Sequence, residues 1–532
     1  MLKIFGFEIG KAKPEKQAVS TRPVRRFYQY DIFDGEKNAG AVGPVKDYFL
    51  DTQVLRARSW QLYLESEICS MAINRLARWV IGKGLDLRSI PETSYLATEG
   101  ITLNSENFNK VVESRWQVFA NSLTADYSNK RTLHELANDA LVNGKVGGDV
   151  LVILRIIKGA LKVQLIDGAH VSNPMSTGVA ITGADFIYNG NIVRDGVEID
   201  SEGKPIAYHV KFEPFNWERI EAYNSKTGQK MAWLYSGNQF RLDDYRGLAM
   251  LATVIESAKT LDRYKEATVS SAEERAKIAY YIKHGTQSDE EDIFAKNATK
   301  ISNYNDEDDV PVDKFGTMLA ENIYATTNKQ TFNMPRDTAI ESLESKQELH
   351  FKDFFMTISN DIFSAVGIPP NVARMMYDSN FSASRAALKD WEHTLEVERR
   401  NFVNGFYLPI YSIWLDIEVA KNKVQAQGYL KALMSKDYLT LEAYKASNWR
   451  GANVPHIDPV KEVTAERLKL GKMFEDKPLT TLENATINVN GGDSEDNMEQ
   501  AAKEIEQAES LGLKFIEPIQ PIQQTNQNNN DD

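Results

Sequence analysis

Lysines next to glycines are the part of this chain closest to a phosphate-binding motif. Gly82-Lys83-Gly84 and Gly144-Lys145 place a cation beside a permissive backbone, and nucleotide-binding loops use that combination to hold phosphates. The full pattern G-x-x-x-x-G-K-[ST] occurs nowhere in the chain. Both stretches are better explained as helix ends, so an ATP-driven motor is not predicted.

Histidines and acidic runs are the candidates for metal chemistry. His134-Glu135 lacks the second histidine, four residues after the first, that a zinc-protease helix requires. Residues 289–292 and 306–309 are acidic, and carboxylate oxygens suit Mg²⁺ or Ca²⁺. The second run, however, lacks the alternation and the glycine of a calcium loop. We interpret both runs as solvated loops and predict no catalytic residue, no metal site and no cofactor. We expect His209 to be a packed or a surface residue of a strand rather than a ligand.

Composition and charge narrow the class of protein. The 532 residues are 42% hydrophobic and 26% charged, which is typical of a globular chain with several domains. No stretch of about 18 apolar residues occurs, so a spanning helix is not expected, and a secretory signal is not expected either. Cys69 is the only cysteine, which excludes a disulfide within the chain. The formal charge of −13 disfavours sequence-specific DNA binding.

The first half of the chain alternates helical and strand-like patterns. Apolar residues recur at helical spacing between Thr52 and Val80, and Gly82 and Gly84 end that pattern. Further helices are predicted over 108–123 and 133–142, and strands over 150–157, 161–166, 196–200 and 206–210. These elements predict an α+β domain.

Long helical patterns dominate the second half. We predict one helix over 251–283, an irregular insert over 284–339 and a second helix over 340–366. A third, charge-rich helix is predicted over 382–407, and Pro409 is expected to bend or break it. Short helices are predicted over 431–475, with another helical patch over 498–511.

The segment between these long helices carries a resemblance to a known family. Residues 354–389, FFMTISNDIFSAVGIPPNVARMMYDSNFSASRAALK, closely resemble the portal protein of tailed bacteriophages, specifically its lambda-like family. Weaker matches follow in family order at residues 55–59, 72–76, 80–84, 147–152, 196–200, 207–210, 245–251, 449–451 and 458–462. Together they extend the resemblance over roughly residues 50 to 470.

The resemblance implies the portal fold, an α+β architecture with wing, stem, clip and crown regions that assembles as a ring. It divides the chain into an extended N-terminal arm (1–50), wing (51–250), first stem helix (251–283), clip (284–339), second stem helix (340–367), channel loop (368–381), wing helix (382–430), and crown with a partly disordered tail (431–532). The arm is basic; contact with DNA or a neighbouring subunit and a solvated disordered terminus are both open explanations for it.

Three groups of candidate site residues follow from the resemblance. The channel-loop candidates for DNA contact are Arg374, Met375, Met376, Tyr377 and Asn380. The stem-packing candidates are Ala267, Ala272, Ala276 and Ala279. The clip candidates for partner binding are Asp289, Glu290, Asp306, Glu307, Asp308 and Asp309. For Met375, Met376 and Tyr377, a plain core role beneath a helix–helix turn is the competing interpretation.

The implied function is a portal subunit in a ring of about twelve copies at one capsid vertex, assembled in the host bacterial cytoplasm. It would pass double-stranded DNA without sequence preference during packaging and ejection, and an acidic balance suits sliding because each neutralised phosphate adds a sticking point. The implied partners are the terminase large subunit, head–tail connector or adaptor proteins, and the major capsid and scaffolding proteins, with no membrane. Two alternatives remain: another connector or adaptor ring, and a terminase-like nuclease.

Overall fold

The computed structural model describes most of the chain between Thr52 and Leu513. The described residues are 2–4, 7–9, 52–174, 186–213, 216–239, 244–277, 281–284, 338–341, 351–376, 381–453, 459–471 and 478–513. They divide into two compact units, residues 1–259 with 358–532 and residues 260–357. Within the described residues, no helix has the length and apolar character needed to cross a membrane.

Fifteen α-helices lie in the described residues. They are α1 Thr52–Glu65, α2 Glu67–Val80, α3 Thr93–Thr98, α4 Ser105–Asn121, α5 Leu133–Gly147, α6 Ile255–Lys277, α7 Phe351–Val366, α8 Pro370–Arg374, α9 Phe381–Phe402, α10 Leu408–Ala420, α11 Tyr429–Ser435, α12 Tyr438–Lys445, α13 Pro459–Leu470, α14 Leu482–Asn490 and α15 Ser494–Ser510. The predicted helices of the first half are confirmed, and α4 and α5 each begin at a side-chain cap, the latter a capping box between Thr132 and Glu135.

Fourteen strands are described. They are β1 Leu2–Ile4, β2 Phe7–Ile9, β3 Asp86–Ser89, β4 Asp149–Ile157, β5 Ala160–Asp167, β6 Phe186–Tyr188, β7 Asn191–Arg194, β8 Val197–Ile199, β9 Pro205–Glu213, β10 Asn216–Glu221, β11 Ala232–Ser236, β12 Tyr281–His284, β13 Thr338–Glu341 and β14 Ser447–Arg450. The four predicted strands correspond to β4, β5, β8 and β9, which are confirmed.

Two antiparallel sheets share one apolar core in the first unit. The three-stranded sheet has the order β11-β4-β5, and the five-stranded sheet has the order β10-β9-β8-β7-β6. Leu151 and Ile166 from the first sheet cluster with Val197, Tyr208 and Val210 from the second. Because alternate strand residues face opposite sides, the other face of the second sheet carries polar residues, among them His209.

A second core joins helices that are far apart in sequence. The Trp116 ring of α4 makes edge contacts with Trp414 of α10 at 5.2 Å and with Trp449 of β14 at 5.5 Å between ring centroids. Strand β14 pairs antiparallel with β3, so that Trp449 lies opposite Leu87. The helical part of the first unit therefore packs residues that lie in widely separated parts of the sequence.

The predicted ends of the two stem helices are wrong. Residues 281–284 form strand β12 rather than the last turn of a helix, and they pair antiparallel with β13, Tyr281 opposite Glu341 and Ile282 opposite Ile340. The second helix, expected from Ile340, is α7 and is described only from Phe351. Short β-branched and aromatic runs suit either element locally, and only their pairing with each other selects the strand.

The third long helix is interrupted before Pro409 rather than at it. Helix α9 ends at Phe402, a π-helical turn occupies Val403–Tyr407, and α10 continues from Leu408 with Pro409 in its first turn. Because α10 continues directly from the π-turn, the proline removes the helical donor four residues after Gly405, and the Trp233 Nε1–H donates to the Gly405 carbonyl instead, at 2.7 Å. The expected break is thus absorbed by a π-turn, a common way to offset a long helix.

The N-terminal arm contains an element that the sequence pattern did not predict. Strands β1 and β2 pair antiparallel, with Leu2 opposite Ile9, Lys3 opposite Glu8 and Ile4 opposite Phe7. Residues directly opposite each other share a face of a hairpin. The two strands form a two-stranded sheet within the predicted arm.

Candidate functional site

Helix α8 fixes the first part of the predicted channel loop. It begins at Pro370, follows Gly367 at φ +80° and spans five residues. Ile368 and Val372 are buried, so the turn after α7 is anchored in the core of the first unit. The loop candidates Tyr377 and Asn380 lie outside the described residues.

The C-terminus of α8 is closed by a methionine in a left-handed conformation. Met375 has φ 58° and ψ 33°; its N–H donates to the Val372 carbonyl at 3.4 Å, and the Met376 N–H donates to the Asn371 carbonyl at 3.1 Å. This hydrogen-bond pattern is a Schellman motif, whose left-handed position is usually glycine. A side chain in that conformation costs about 1–2 kcal/mol.

Both methionines of this turn are exposed. Met375 is 61% and Met376 47% exposed within the single chain, so neither is a core residue there. We call this pair, Met375 and Met376, the methionine cap. An exposed thioether side chain in a strained backbone position contributes little to the stability of one subunit. Its role in a channel stays a prediction at this point.

Arg374 is held against the body of the unit rather than extended from it. Its guanidinium donates to the Ser359 hydroxyl and lies over the Phe363 ring at 5.3 Å from the centroid. Burial lowers the pKa of Arg374, although an arginine stays charged at any physiological pH. The contacts fix the direction in which α8 leaves α7, so Arg374 orients the methionine cap.

The stem candidates lie on α6 in the second unit. Ala267 and Ala272 are exposed, Ala276 lies in the same helix, and Ala279 is outside the described residues. Tyr264 packs its ring on Phe354 of α7 at 4.2 Å and on Phe351 at 5.7 Å. Aromatic contacts therefore join the two helices, while alanines at two of the predicted packing positions lie on the surface.

The clip candidates all lie outside the described residues. These are Asp289, Glu290, Asp306, Glu307, Asp308 and Asp309. The β12–β13 pair brackets the segment that contains them, because β12 ends at His284 and β13 begins at Thr338. The insert therefore starts and finishes at neighbouring strands.

Three of the sequence matches meet in a buried ion network that sequence reasoning did not identify. Asp149 accepts hydrogen bonds from Arg56 Nη2 at 2.5 Å, from Arg246 Nε at 2.7 Å and Nη2 at 2.9 Å, and from the Gly247 N–H at 2.9 Å. All three charged side chains are almost completely buried. We call Arg56, Asp149 and Arg246 the ion hub.

The ion hub also donates hydrogen bonds to four backbone carbonyls, one at the end of α5 and three in the connections that follow β5 and β7. Arg56 Nε donates to Gly147, and Arg246 donates to Gly168, Val171 and Asp195 at 2.7–2.8 Å. Burial raises the pKa of the Asp149 carboxyl, but the Arg246 and Arg56 guanidiniums outweigh it and hold that pKa below its usual value. A Cβ added at Gly168 would lie 1.9 Å from Asp149 Oδ1, so only glycine fits beside the hub.

A second polar cluster occupies the outer face of the five-stranded sheet. Glu198 accepts from Arg219 Nε at 2.6 Å and from Asn191 Nδ2 at 2.8 Å, and it lies 3.1 Å from His209 Nε2. Desolvation lowers the pKa of His209 despite the neighbouring carboxylate. Of the two positions left open for His209, packed or on the surface, the structure has the packed one, because His209 lies in β9 and is buried. Among the described residues, no group of three potential ligands is placed to hold a metal ion.

The family of the chain follows from its sequence as a whole. A family model described as "Phage portal protein, lambda family" matches residues 35–399, which is more than half of the chain. The chain belongs to the lambda family of phage portal proteins. This family is structural, and membership gives the chain a capsid portal role. The ion hub and the methionine cap both lie within the matched residues of this portal chain, whereas α14 and α15 lie beyond them.

Parts of gene transfer agent (GTA) particles are among the similar solved structures. The chain is 10% identical to one from the "Neck of native GTA particle computed with C12 symmetry", covering 86% of this chain and 97% of that one with a TM-score of 0.40. It is 11% identical to one from the "Virion of native gene transfer agent (GTA) particle", covering 85% and 96% with a TM-score of 0.39.

Proposed function

We propose that the chain assembles with identical copies into a ring, of about twelve subunits, that forms the DNA channel at one vertex of a tailed-phage capsid. The ring serves packaging and later ejection of double-stranded DNA, and it reaches the virion after assembly in the host cytoplasm. Membership of the portal family supports this proposal. The stem and clip regions are proposed from the same membership.

The observation that carries the channel assignment is the left-handed, exposed Met375. Glycine would remove the backbone strain at this position, and a polar residue would avoid exposing apolar surface. Neither alternative is present, although Met375 is 61% exposed. A side chain kept where it lowers stability is a candidate for function, and in a ring the cap would face passing DNA.

Methionine suits contact with a moving duplex. Its side chain is flexible and polarizable, so it can press on different base-pair sequences without the fixed donors and acceptors that base readout needs. The formal charge of −13 limits tight phosphate binding by the chain as a whole. The methionine cap would therefore contact DNA without gripping any one sequence.

The remaining regions have proposed roles in assembly. Ala267 and Ala272 expose small surfaces on α6, which lets a neighbouring helix approach closely. The acidic insert between β12 and β13 is the proposed clip, where the terminase large subunit docks during packaging and connector or adaptor proteins dock afterwards. The crown and wing would contact scaffolding and major capsid proteins.

The test replaces both residues of the methionine cap by serine. Met375→Ser with Met376→Ser should leave thermal unfolding and ring formation unchanged, because both side chains are exposed in the subunit. Capsids assembled with this variant should hold less DNA than the parent, measured as genome copies per particle. Met434→Ser, at a methionine 83% exposed on α11, is the matched control and should package normally.

Two results would contradict this assignment. Early melting of the double variant would make the methionines structural residues. Full DNA content in stable particles would show that the cap does not act on DNA at all.

A further inference from the structure

The turn between β4 and β5 lies among apolar side chains that are exposed. Ile156 and Ile157 end β4, and Leu123 and Tyr127 belong to a segment beside β5; each of the four is 38–50% exposed. That segment runs along β5, because the Tyr127 N–H donates to the Val163 carbonyl at 2.9 Å. The four side chains therefore lie around one end of the three-stranded sheet. Exposed apolar surface rimmed by polar residues marks an interaction site.

Two basic residues lie among these side chains. The Arg155 guanidinium lies over the Tyr127 ring at 5.2 Å from the centroid, and Lys162 Nζ donates to the Thr124 and Asp126 carbonyls, each at 3.2 Å. Arg155 and Lys162 are directly opposite each other in the β4–β5 pair. Like charges at opposite positions destabilise a strand pair, so the pairing of the strands gives no reason for both bases.

A third base, Lys421, reaches the turn from the C-terminus of α10. A Cβ added at Gly159 would lie 3.7 Å from Lys421 Cε. Glu418 Oε1 lies 3.8 Å from Lys421 Nζ, and Glu418 Oε2 accepts a hydrogen bond from Arg115 Nε at 2.8 Å. One carboxylate, itself only 10% exposed, is thus shared by two bases. A net positive charge remains at this end of the sheet.

The turn itself places a fourth base, Lys158, in a left-handed conformation. Lys158 has φ 51° and Gly159 has φ 80°, and Ile157 pairs with Ala160 across them. Asparagine, aspartate or glycine is favoured at the first position of a two-residue turn with positive φ at both positions. Lysine has no such preference, yet an exposed lysine is present. A side chain in a strained backbone position is a candidate for function.

The chemistry of this surface limits what its partner can be. We call it the basic tip, and its residues are Leu123, Tyr127, Arg155, Ile156, Ile157, Lys158, Lys162 and Lys421. A second basic tip would bring like charges together. A DNA duplex offers phosphates but little apolar surface to cover the isoleucines, and the Arg155 guanidinium occupies a face of the Tyr127 ring on which a nucleobase could stack. The complementary partner is both acidic and apolar.

We propose that the basic tip docks an acidic, amphipathic segment of another protein. The apolar residues of that segment cover Leu123 and Ile157, and its carboxylates lie against Lys158 and Lys421. The chain as a whole has a formal charge of −13, so the basic tip would be a local attraction on a surface that otherwise repels an acidic partner. The contact neither uses the methionine cap nor depends on the channel assignment.

Fluorescence anisotropy tests the contact with the purified full-length protein. The probe is a labelled synthetic helix with leucines on one face and glutamates on the other. Lys158→Glu with Lys421→Glu should weaken its binding by about tenfold, because two attractive ion pairs become repulsive. Lys83→Glu with Lys226→Glu, at two exposed lysines outside the basic tip, changes the net charge equally and is the control. The control variant should bind the helix as the parent does.

Two further variants separate binding from folding and charge from apolar contact. Lys158→Asn removes a charge and introduces a residue that suits the turn. Its melting temperature should stay equal or rise, while its affinity for the helix falls by about two- to fivefold. Leu123→Ser should weaken binding of the helix but not of poly-glutamate. Leu439→Ser, at an exposed leucine on α12, is the control for that substitution.

Three outcomes would overturn the proposal. If poly-glutamate binds the parent as tightly as the amphipathic helix does, the surface selects charge alone. If a DNA duplex binds as tightly as the helix and is released by Lys158→Glu with Lys421→Glu, the surface binds nucleic acid instead. The third outcome is a parent protein that does not bind the helix at all.

Discussion

In the ion hub and in the methionine cap, the burial of the side chains is the opposite of what their chemical type predicts. In the ion hub, Arg56, Asp149 and Arg246 are charged and buried. In the methionine cap, Met375 and Met376 are apolar and exposed. The hub residues are hydrogen-bonded to one another and to backbone carbonyls, and of the hub's side-chain nitrogens and oxygens only Arg56 Nη1 lacks a partner among the described residues; the cap residues, by contrast, are exposed.

The contrast separates a scaffold from the surface it presents. Buried charges are tolerated only when partners satisfy them, and the hub has those partners because three segments converge on it: the end of α5, residues 168–171 and Asp195. Within one chain, there is no comparable explanation for the exposed position of Met375 and Met376. We infer that the hub serves the fold of each subunit, and that the cap serves what the subunits do together.

The largest expected effect comes from neutralising the hub. Asp149→Asn would leave two buried guanidiniums without a counter-charge, and removing one partner of a buried ion pair costs about 3–5 kcal/mol of unfolding free energy. Urea unfolding of the purified subunit measures this loss. Asp390→Asn, at an exposed position on α9, should change the free energy by less than about 0.5 kcal/mol. If Asp149→Asn lowers the free energy of unfolding by less than about 1 kcal/mol, the buried ion hub contributes no more to stability than an exposed charge does.

A partly exposed cluster of the same chemistry should give a smaller effect. Arg450 binds Asp493 at 2.7 Å and Glu483 at 2.5 Å, and Arg88 binds Asp493 at 2.9 Å. These ion pairs attach α14 and α15 to the rest of the first unit. The apolar residues of the two helices are exposed or half-buried, apart from Ala485 and Ala508.

Salt should therefore loosen α14 and α15 but not the hub. Exposed ion pairs contribute up to about 1 kcal/mol each and are screened by salt. Arg450→Gln should raise amide exchange in residues 482–510 several-fold, and added salt should do the same in the parent. Lys389→Gln, which removes an exposed pair within α9, is the control. If amide exchange in residues 482–510 responds to neither the substitution nor the salt, packing rather than charge holds α14 and α15 in place.

The smallest effect on stability is expected at the methionine cap. A substitution there should either stabilise the subunit slightly or leave its stability unchanged. Met375→Gly relieves the left-handed strain, worth about 1 kcal/mol, while glycine adds a similar entropy to the unfolded chain. The melting temperature should stay equal or rise slightly. Met434→Gly, in the right-handed backbone of α11, should lower it, because glycine destabilises a helix by about 0.5–1 kcal/mol. Equal losses at both methionines would show that Met375 is not strained.

Local patterns in the sequence predicted local structure well. Helical periodicity identified α1, α2, α4 and α5, and strand-like runs identified β4, β5, β8 and β9. The β1–β2 hairpin was missed although its strands are neighbours in sequence, but two other failures involve partners distant in sequence. The β12–β13 pair joins residues 281–284 to 338–341, and β3 pairs with β14. Neither strand of such a pair has a local signal strong enough to exclude a helix or a loop.

The candidate sites also combine features that the local sequence predicts with features that depend on folding. The sequence predicted a turn after α7, because Gly367 and the two prolines mark one, but it did not predict helix α8, which contains Arg374. It could not show that Met375 takes a left-handed conformation, since glycine is the usual residue there. It also contained every part of the ion hub, in the matches around Arg56, Asp149 and Arg246, but only folding brings those three segments within hydrogen-bonding distance.

A cryo-electron microscopy reconstruction of the purified full-length protein tests the central claim most directly. We predict a closed ring of identical subunits with a central hole wide enough for a DNA duplex, and with the methionine cap of every subunit facing that hole. A protein that stays monomeric, or a ring whose methionine caps lie on its outer surface, would contradict the account.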